Sequence, residues 1–303
     1  MLQKTLDLLY RHPKSNLNRF KRFGGYTSYR KMIRARKKMC NACVSLPAVR
    51  SYSDGLPLYF LTGKNYLFQT LFCIQSLSRV TSEKFSFVLV DDGTFDVQLI
   101  EQIHAQLPGA TIYTQEEIQT NLERLMPQHL YPRLYKKRIV YPHLKKLTDI
   151  HSIGDNPWKL VLDSDMLFWH EPLEIIAWLN NPSKPLHMLD CVQSYGYPIS
   201  LMERLCGNNV PGLLNVGIIG LRSDEINWAD LDRWINLLEE QGGASYYLEQ
   251  ALTAMLIGNK QATVLDKNAY KVNPTVASNA ILHHYVDLSK KIYYTEAWKK
   301  YAQ

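Results

Sequence analysis

Short unbroken apolar runs alternate with stretches of helical spacing along most of this chain. Residues 56–61, 85–90 and 110–113 read as buried strands, and the stretches from Tyr66 to Arg79 and from Asp96 to Leu107 have helical periodicity, the second stopped by Pro108-Gly109. Residues 115–150 are mostly helical, broken by Pro127, Pro132 and Pro142. Trp158 opens a further strand, and residues 185–189 and 213–220 supply two more. Helices over residues 227–240 and 246–257 follow, then a last strand or loop at 281–285. Strands alternating with helices at this interval predict an α/β fold around a parallel sheet.

Such a sheet places its ligands at the carboxyl ends of the strands. The run from Lys159 to Leu162 ends in Asp163-Ser164-Asp165. Extended residues alternate faces, so both carboxylates point one way and suit one hard cation. A polar turn after a strand gives the same local pattern. The tail pair His283-His284 offers a further ligand, and an imidazole beside carboxylates favours Mn²⁺ over Mg²⁺. Lys146 and Lys290 are cations that neutralise a departing diphosphate if the fold brings them to the same edge. Asn215 and Gly217 fall two apart on one strand face, and Asp190 ends the strand at 185–189.

With 303 residues, 46% of them apolar, the chain can bury a large core. It has no apolar run of about 18 residues, and Met1–Tyr10 lacks the long apolar region of a signal peptide, so a cytoplasmic, soluble protein is expected. The five cysteines have no framework spacing and fit reduced thiols; Cys40-x-x-Cys43 lacks a second ligand pair and reads as incidental. The net charge of +7 is unevenly spread. Residues 1–50 hold 13 Lys/Arg against one acid, Asp7, whereas the remainder is acidic by five charges. Residues 1–50 therefore read as a basic helical N-terminal extension interrupted at Gly24-Gly25, with a second domain over residues 51–303. With Phe20, Phe23, Tyr26, Tyr29 and Met32 interleaved, the extension suits peripheral contact with an anionic membrane or acidic polymer, or a solvated helix packed on the main domain.

Lys146-Leu147, Leu162-Asp163-Ser-Asp165, Leu214-Asn215-Val-Gly217, Glu249-Gln250 and His284-Tyr-Val-Asp-Leu-Ser-Lys290 resemble, in order and spacing, glycosyltransferases of the GT-A fold, most closely glycosyltransferase family 8 and its bacterial relatives. The resemblance runs from about residue 56 to 298. It implies a single Rossmann-like α/β domain with a mixed central sheet. Asp163, Asp165 and His284 would hold Mn²⁺ or Mg²⁺, with Lys290 on the diphosphate of a nucleotide sugar and Lys146 near the donor. Thr62, Gly63, Tyr66, Asp91 and Asp92 would face base and ribose. Asn215, Glu249 and Gln250 would line the sugar and acceptor, and Asp190, Glu249 and Gln250 are the catalytic candidates. The reaction so implied moves the sugar to a hydroxyl of a glycan, lipid or protein, with retention at the anomeric carbon. Three positions depart from the family pattern: Asp287 stands where the family has glycine, Lys291-Ile292 where Pro-Trp often follows the lysine, and Glu249 where aspartate is common.

An apolar run ending in Asp-x-Asp also opens the haloacid dehalogenase-type phosphatases, whose first Asp is a nucleophile. Those need a paired Asp-Asp downstream; here Asp91-Asp92 lies upstream. A non-catalytic module using the basic N-terminus would rest on electrostatics alone, since no zinc-finger, basic-heptad or RNA-binding signature accompanies it. A sugar nucleotidyltransferase needs a glycine-rich phosphate loop after its first strand, and Thr62-Gly63-Lys64 is too sparse.

Overall fold

The structure is a computed structural model and describes residues 12–275 and 279–302. Met1–Tyr10 lies outside them. Strands β1 (Leu56–Thr62), β2 (Phe85–Asp91), β3 (Thr111–Tyr113) and β4 (Trp158–Leu162) run parallel, as the alternation with helices predicts. The sheet continues through β6 (Leu186–Leu189), β7 (Leu214–Arg222) and β8 (Thr263–Val264) in the order β3-β2-β1-β4-β7-β6-β8. Strand β7 is antiparallel to both its neighbours, so the sheet is mixed. The mixed central sheet implied by the resemblance is thus present; the alternation of strands and helices alone points only to the parallel part, because a strand buried along nearly its whole length reads the same in either direction.

Helices cover both faces, as parallel strands require. Helix α3 (Leu67–Ser78) is buried along almost its whole length. It packs with α4 (Val97–Gln106) over one face. Helices α5 (Gln115–Leu125), α6 (Pro132–Val140) and α7 (Lys145–Ser152) lie over the other. Each break between them falls at a proline anticipated from the sequence. Two eight-residue helices, α8 (Leu173–Asn180) and α9 (Ile199–Cys206), complete the middle of the chain. Then come α10 (Trp228–Gly242) and α11 (Leu248–Ile257), the former capped by the Asn227 side chain.

A second, three-stranded sheet positions the site. Strand β5 (Met166–Phe168) leaves the Asp163-Ser-Asp165 turn and pairs with the tail strand β10 (Leu282–His284), which pairs in turn with β9 (Tyr270–Val272). The register sets His284 opposite Met166, and Tyr285 N–H donates to Asp165 O at 2.8 Å. Helix α12 (Lys290–Thr295) closes this corner.

At the N-terminus, α1 (His12–Arg22) and α2 (Tyr26–Ala42) meet at Gly24 and Gly25, both with positive φ, where a side chain would be strained. Met32, Met39, Cys43 and Leu46 bury themselves in the same core as α3, and α2 packs on α12.

Candidate functional site

Four parallel strands and β6 release their loops at one edge of the sheet, and β7 enters at that edge. Asp163, Asp165 and His284 converge there, each offering a ligand atom within 4.8 Å of the others. His284 Nε2 lies 3.2 Å from Asp165 Oδ1 and 3.5 Å from Asp163 Oδ2. Both ring nitrogens of His284 are buried and make no well-formed hydrogen bond. An imidazole orphaned between two carboxylates is a donor set that a divalent ion satisfies, so these residues fit a metal. Burial works against the imidazolium, but the two carboxylates outweigh it and raise His284 to about 9. Burial likewise opposes ionisation of Asp163 and Asp165, and the neighbouring cations outweigh it, Lys146 and His284 at the first, Lys290 and His284 at the second.

The other tail histidine faces away. His283 Nδ1 lies 3.2 Å from Tyr285 Oη, its ring stands beside Trp169, and burial, then the charge of Lys271, lowers it to about 4.

Lys146, at the start of α7, donates to Asp163 Oδ1 at 2.9 Å and to Val216 O at 3.3 Å, and lies 3.3 Å from Glu249 Oε2. Its ammonium is enclosed by these oxygens. Glu249 Oε1 is buried without a partner, and burial pushes the Glu249 carboxyl up to about 7 against the pull of Lys146. Lys290 bonds Asp165 Oδ2 and keeps about a quarter of its side chain exposed, 27%, so it can also face a ligand.

A second cluster adjoins the first. Asp190 Oδ2 accepts from Asn215 Nδ2 at 3.1 Å and from Gln250 Nε2 at 3.4 Å. Asn215 Oδ1 in turn accepts from Gly217 N–H. Gly217 stands against His284: a Cβ there would lie 2.4 Å from its Cε1. The spacing of Asn215 and Gly217 thus links the two clusters.

The base-side residues surround the ends of β1 and β2. Asp91 is buried and caps its own loop, accepting from the N–H groups of Gly93, Thr94 and Phe95. Asp92 accepts from Thr94 Oγ1 at 2.5 Å. Gly63 leaves room for Asp92, whose Oδ1 would lie 2.0 Å from a Cβ there. Tyr66 is half exposed, at 51%. Thr62 is buried, and its hydroxyl begins a chain through Thr70 Oγ1 (2.8 Å) to Ser164 Oγ (2.9 Å), between the two metal-type aspartates.

Thr70 carries no distinguishing signal in the sequence, since Gln69, Gln75 and Ser76 are polar and buried in the same helix. Tyr246 and His143, whose rings are 5.1 Å apart beside Tyr141, also flank this region without having been singled out. Among the described residues Cys40 and Cys43 join no metal cluster; Cys43 is buried and its thiol is pushed up to about 11, by burial first and then by Cys40.

At position 287, where the related pattern has glycine, Asp287 takes φ 48° in the left-handed region, and its carboxylate pairs with Arg22 of α1. The ion pair fastens the basic extension to the loop between His284 and Lys290.

The mixed seven-stranded sheet matches the fold of the GT-A glycosyltransferases. Similar solved structures include mouse xyloside xylosyltransferase 1 in its apo form, with a TM-score of 0.51 at 13% identity over 78% of this chain and 97% of that one. The galactosyltransferase LgtC, solved with donor and acceptor sugar analogues, matches with a TM-score of 0.50 at 13% identity over 77% of this chain and 87% of its own. The bifunctional WbbM glycosyltransferase, in its apo structure, matches at 0.51 and 13% identity over 82% of this chain, which spans about half, 51%, of that larger protein. No family model and no curated protein matches the sequence. At this identity the likeness establishes the fold.

Proposed function

We propose that the protein is a metal-dependent glycosyltransferase that moves a sugar from a nucleoside diphosphate sugar to a hydroxyl of a glycan, lipid or protein, with retention at the anomeric carbon. The carrying observation is the convergence of Asp163, Asp165 and the orphaned His284 at the ligand-binding edge of a GT-A fold. These three would hold Mn²⁺, for which the mixed oxygen and imidazole set is suited, or Mg²⁺. When bound, the ion supplies positive charge to the diphosphate.

In this reading the chain's own groups divide the work. Lys290 swings between Asp165 and the diphosphate and stabilises it as the bond to the anomeric carbon breaks. The acceptor oxygen forms the new bond, and its proton passes to the departing phosphate oxygen. Asp190, Asn215 and Gln250 present a fixed polar wall to the sugar, and Glu249, held by Lys146, keeps one carboxylate oxygen unpartnered. Thr62, Gly63, Tyr66, Asp91 and Asp92 shape the base pocket. Residues 51–303 form the catalytic domain and residues 1–50 an extension to it. The free cysteines suit a reducing cytoplasm. The phosphatase reading is not favoured, because the structural neighbours are glycosyltransferases.

Titration with Mn²⁺ against a panel of nucleoside diphosphate sugars tests the reading. Metal-dependent release of nucleoside diphosphate is expected, and Asp165→Asn should abolish it while leaving the fold intact. No metal-dependent binding or release with any donor would refute it.

A further inference from the structure

Helix α2 (Tyr26–Ala42) is two-faced. Met32 and Met39 enter the core, whereas Arg30, Lys31, Arg34, Lys37 and Lys38 are all exposed. At 3.6 residues per turn these five fall within about 120° of the helix circumference. Residues 8–50 contain no acid, and among the described residues none of the five has a carboxylate partner. Arg30–Arg34 and Arg34–Lys38 are like-charge pairs one turn apart, which weaken a helix on its own. Exposed apolar side chains of α2 border the same face, Tyr26 at 56% and Ile33 at 40%, and Leu17 on the adjoining α1 is also exposed, at 56%. Phe20 packs on Tyr26 and Tyr29, with ring centroids 5.2 Å apart in each pair, and holds α1 against α2.

We propose that this face docks the protein on an anionic lipid bilayer. Headgroup phosphates neutralise the five cations, and Tyr26, Ile33 and Leu17 enter the interfacial layer. Aliphatic side chains beside the cations favour lipid over nucleic acid, which offers phosphates but no apolar phase. Helix α2 also touches the rim of the site: Arg36 donates to Asn65 O at 2.9 Å, next to Tyr66. The bilayer therefore lies about one helix diameter, roughly 10 Å, from a loop that borders the site. The proposal stands on charge, exposure and packing and is independent of the sugar-transfer reading.

The test is co-sedimentation of the full chain with vesicles of phosphatidylcholine alone or with added phosphatidylglycerol. Binding is expected only with phosphatidylglycerol, falling as salt is raised. A basic residue near an anionic surface contributes about fivefold, so the combined variant R30Q/K31Q/R34Q/K37Q/K38Q should bind on the order of a thousandfold more weakly. A variant losing five exposed cations elsewhere, R124Q/K136Q/K184Q/K267Q/K299Q, should bind nearly as well as the parent. If the five-residue α2 variant does not fold, the single reversal Arg34→Glu, a change of two charges, should still weaken binding by about 25-fold. No binding to phosphatidylglycerol vesicles at low salt, equal loss in both variants, or retention of an oligonucleotide in place of vesicles would overturn the proposal.

Discussion

Gly217 meets the imidazole of His284 so closely that a methyl group on the glycine would lie 2.5 Å from Nδ1 and 2.7 Å from the Met166 methyl. A side chain at 217 must push the ring off the two aspartates. Gly217→Ala is expected to destabilise the fold by about 1–3 kcal/mol through overpacking. It should also weaken Mn²⁺ binding by roughly 10–100-fold. Denaturant unfolding and metal titration read the two effects separately; unchanged Mn²⁺ affinity would exclude His284 as a ligand.

The two tail histidines should separate cleanly. His284→Ala removes the donor between Asp163 and Asp165, whereas His283→Ala removes a ring packed on Trp169 and Tyr285. Mn²⁺ affinity should fall far more in the first variant, and calorimetric titration of both gives the ranking.

Thr70 links the floor of the base-side region to the turn between the aspartates. Thr70→Val keeps its shape and removes the hydroxyl's two short contacts, to Thr62 and Ser164, at a net stability cost of about 1 kcal/mol each, together with a longer one to Tyr66 O at 3.4 Å. Stability should fall by about 2 kcal/mol and donor KM should rise by roughly tenfold, and an unaltered KM would show that Ser164 needs no such anchor.

Arg138 and Asp149 form a buried two-pronged ion pair beneath the site, with Arg138 Nη2 2.7 Å from Asp149 Oδ2 and the Asp149 side chain fully buried. Removing one partner leaves an unpaired buried charge. Asp149→Ala should lower stability by about 3–5 kcal/mol, measured by chemical denaturation.

His151 predicts an acid limb. Burial first, and then the charge of Lys159, lowers its imidazole from 6.5 to about 3. The native ring stays neutral, accepting from or donating to Ser223 Oγ at 2.9 Å, while the unfolded ring takes up a proton below pH 6.5. Unfolded chains then bind more protons than folded ones between pH 6.5 and 3, so stability falls as pH drops through that window, by up to about 1.4 kcal/mol per unit. His151→Phe should make this limb shallower by up to one proton in unfolding curves taken from pH 7 downward, the remainder coming from the other buried histidines whose imidazoles are lowered, His283 among them.

What the sequence made readable was the set of long elements and the order of the polar strand ends. The run into Asp163 is apolar and stops abruptly, so both the strand and its chemistry announce themselves. Strands β5 and β9, three residues each, are too short for a period, and their sheet exists only through pairing with the tail. Direction was equally silent in β7, since alternation carries no polarity along a buried strand. Contacts such as Thr70 with Ser164, or Arg138 with Asp149, depend on which helix face meets which loop. Lys146 shows the limit in another way: spacing marked it as a cation for the donor, and the structure encloses it between Asp163 and Glu249.

The tail's late position also sets an order of events during synthesis. Asp165 and Lys290 are 125 residues apart, and Arg22 and Asp287 are 265 apart. At translation rates of about 5–20 residues per second, Lys290 follows Asp165 by roughly 6–25 s. During that interval β1 to β4 can pair, and β6, β7 and β8 join them as they are made, while the acidic turn still lacks His284 and Lys290. A nascent chain that has folded its sheet therefore still lacks His284 between Asp163 and Asp165, and the three residues come together only when the tail strand pairs with β5.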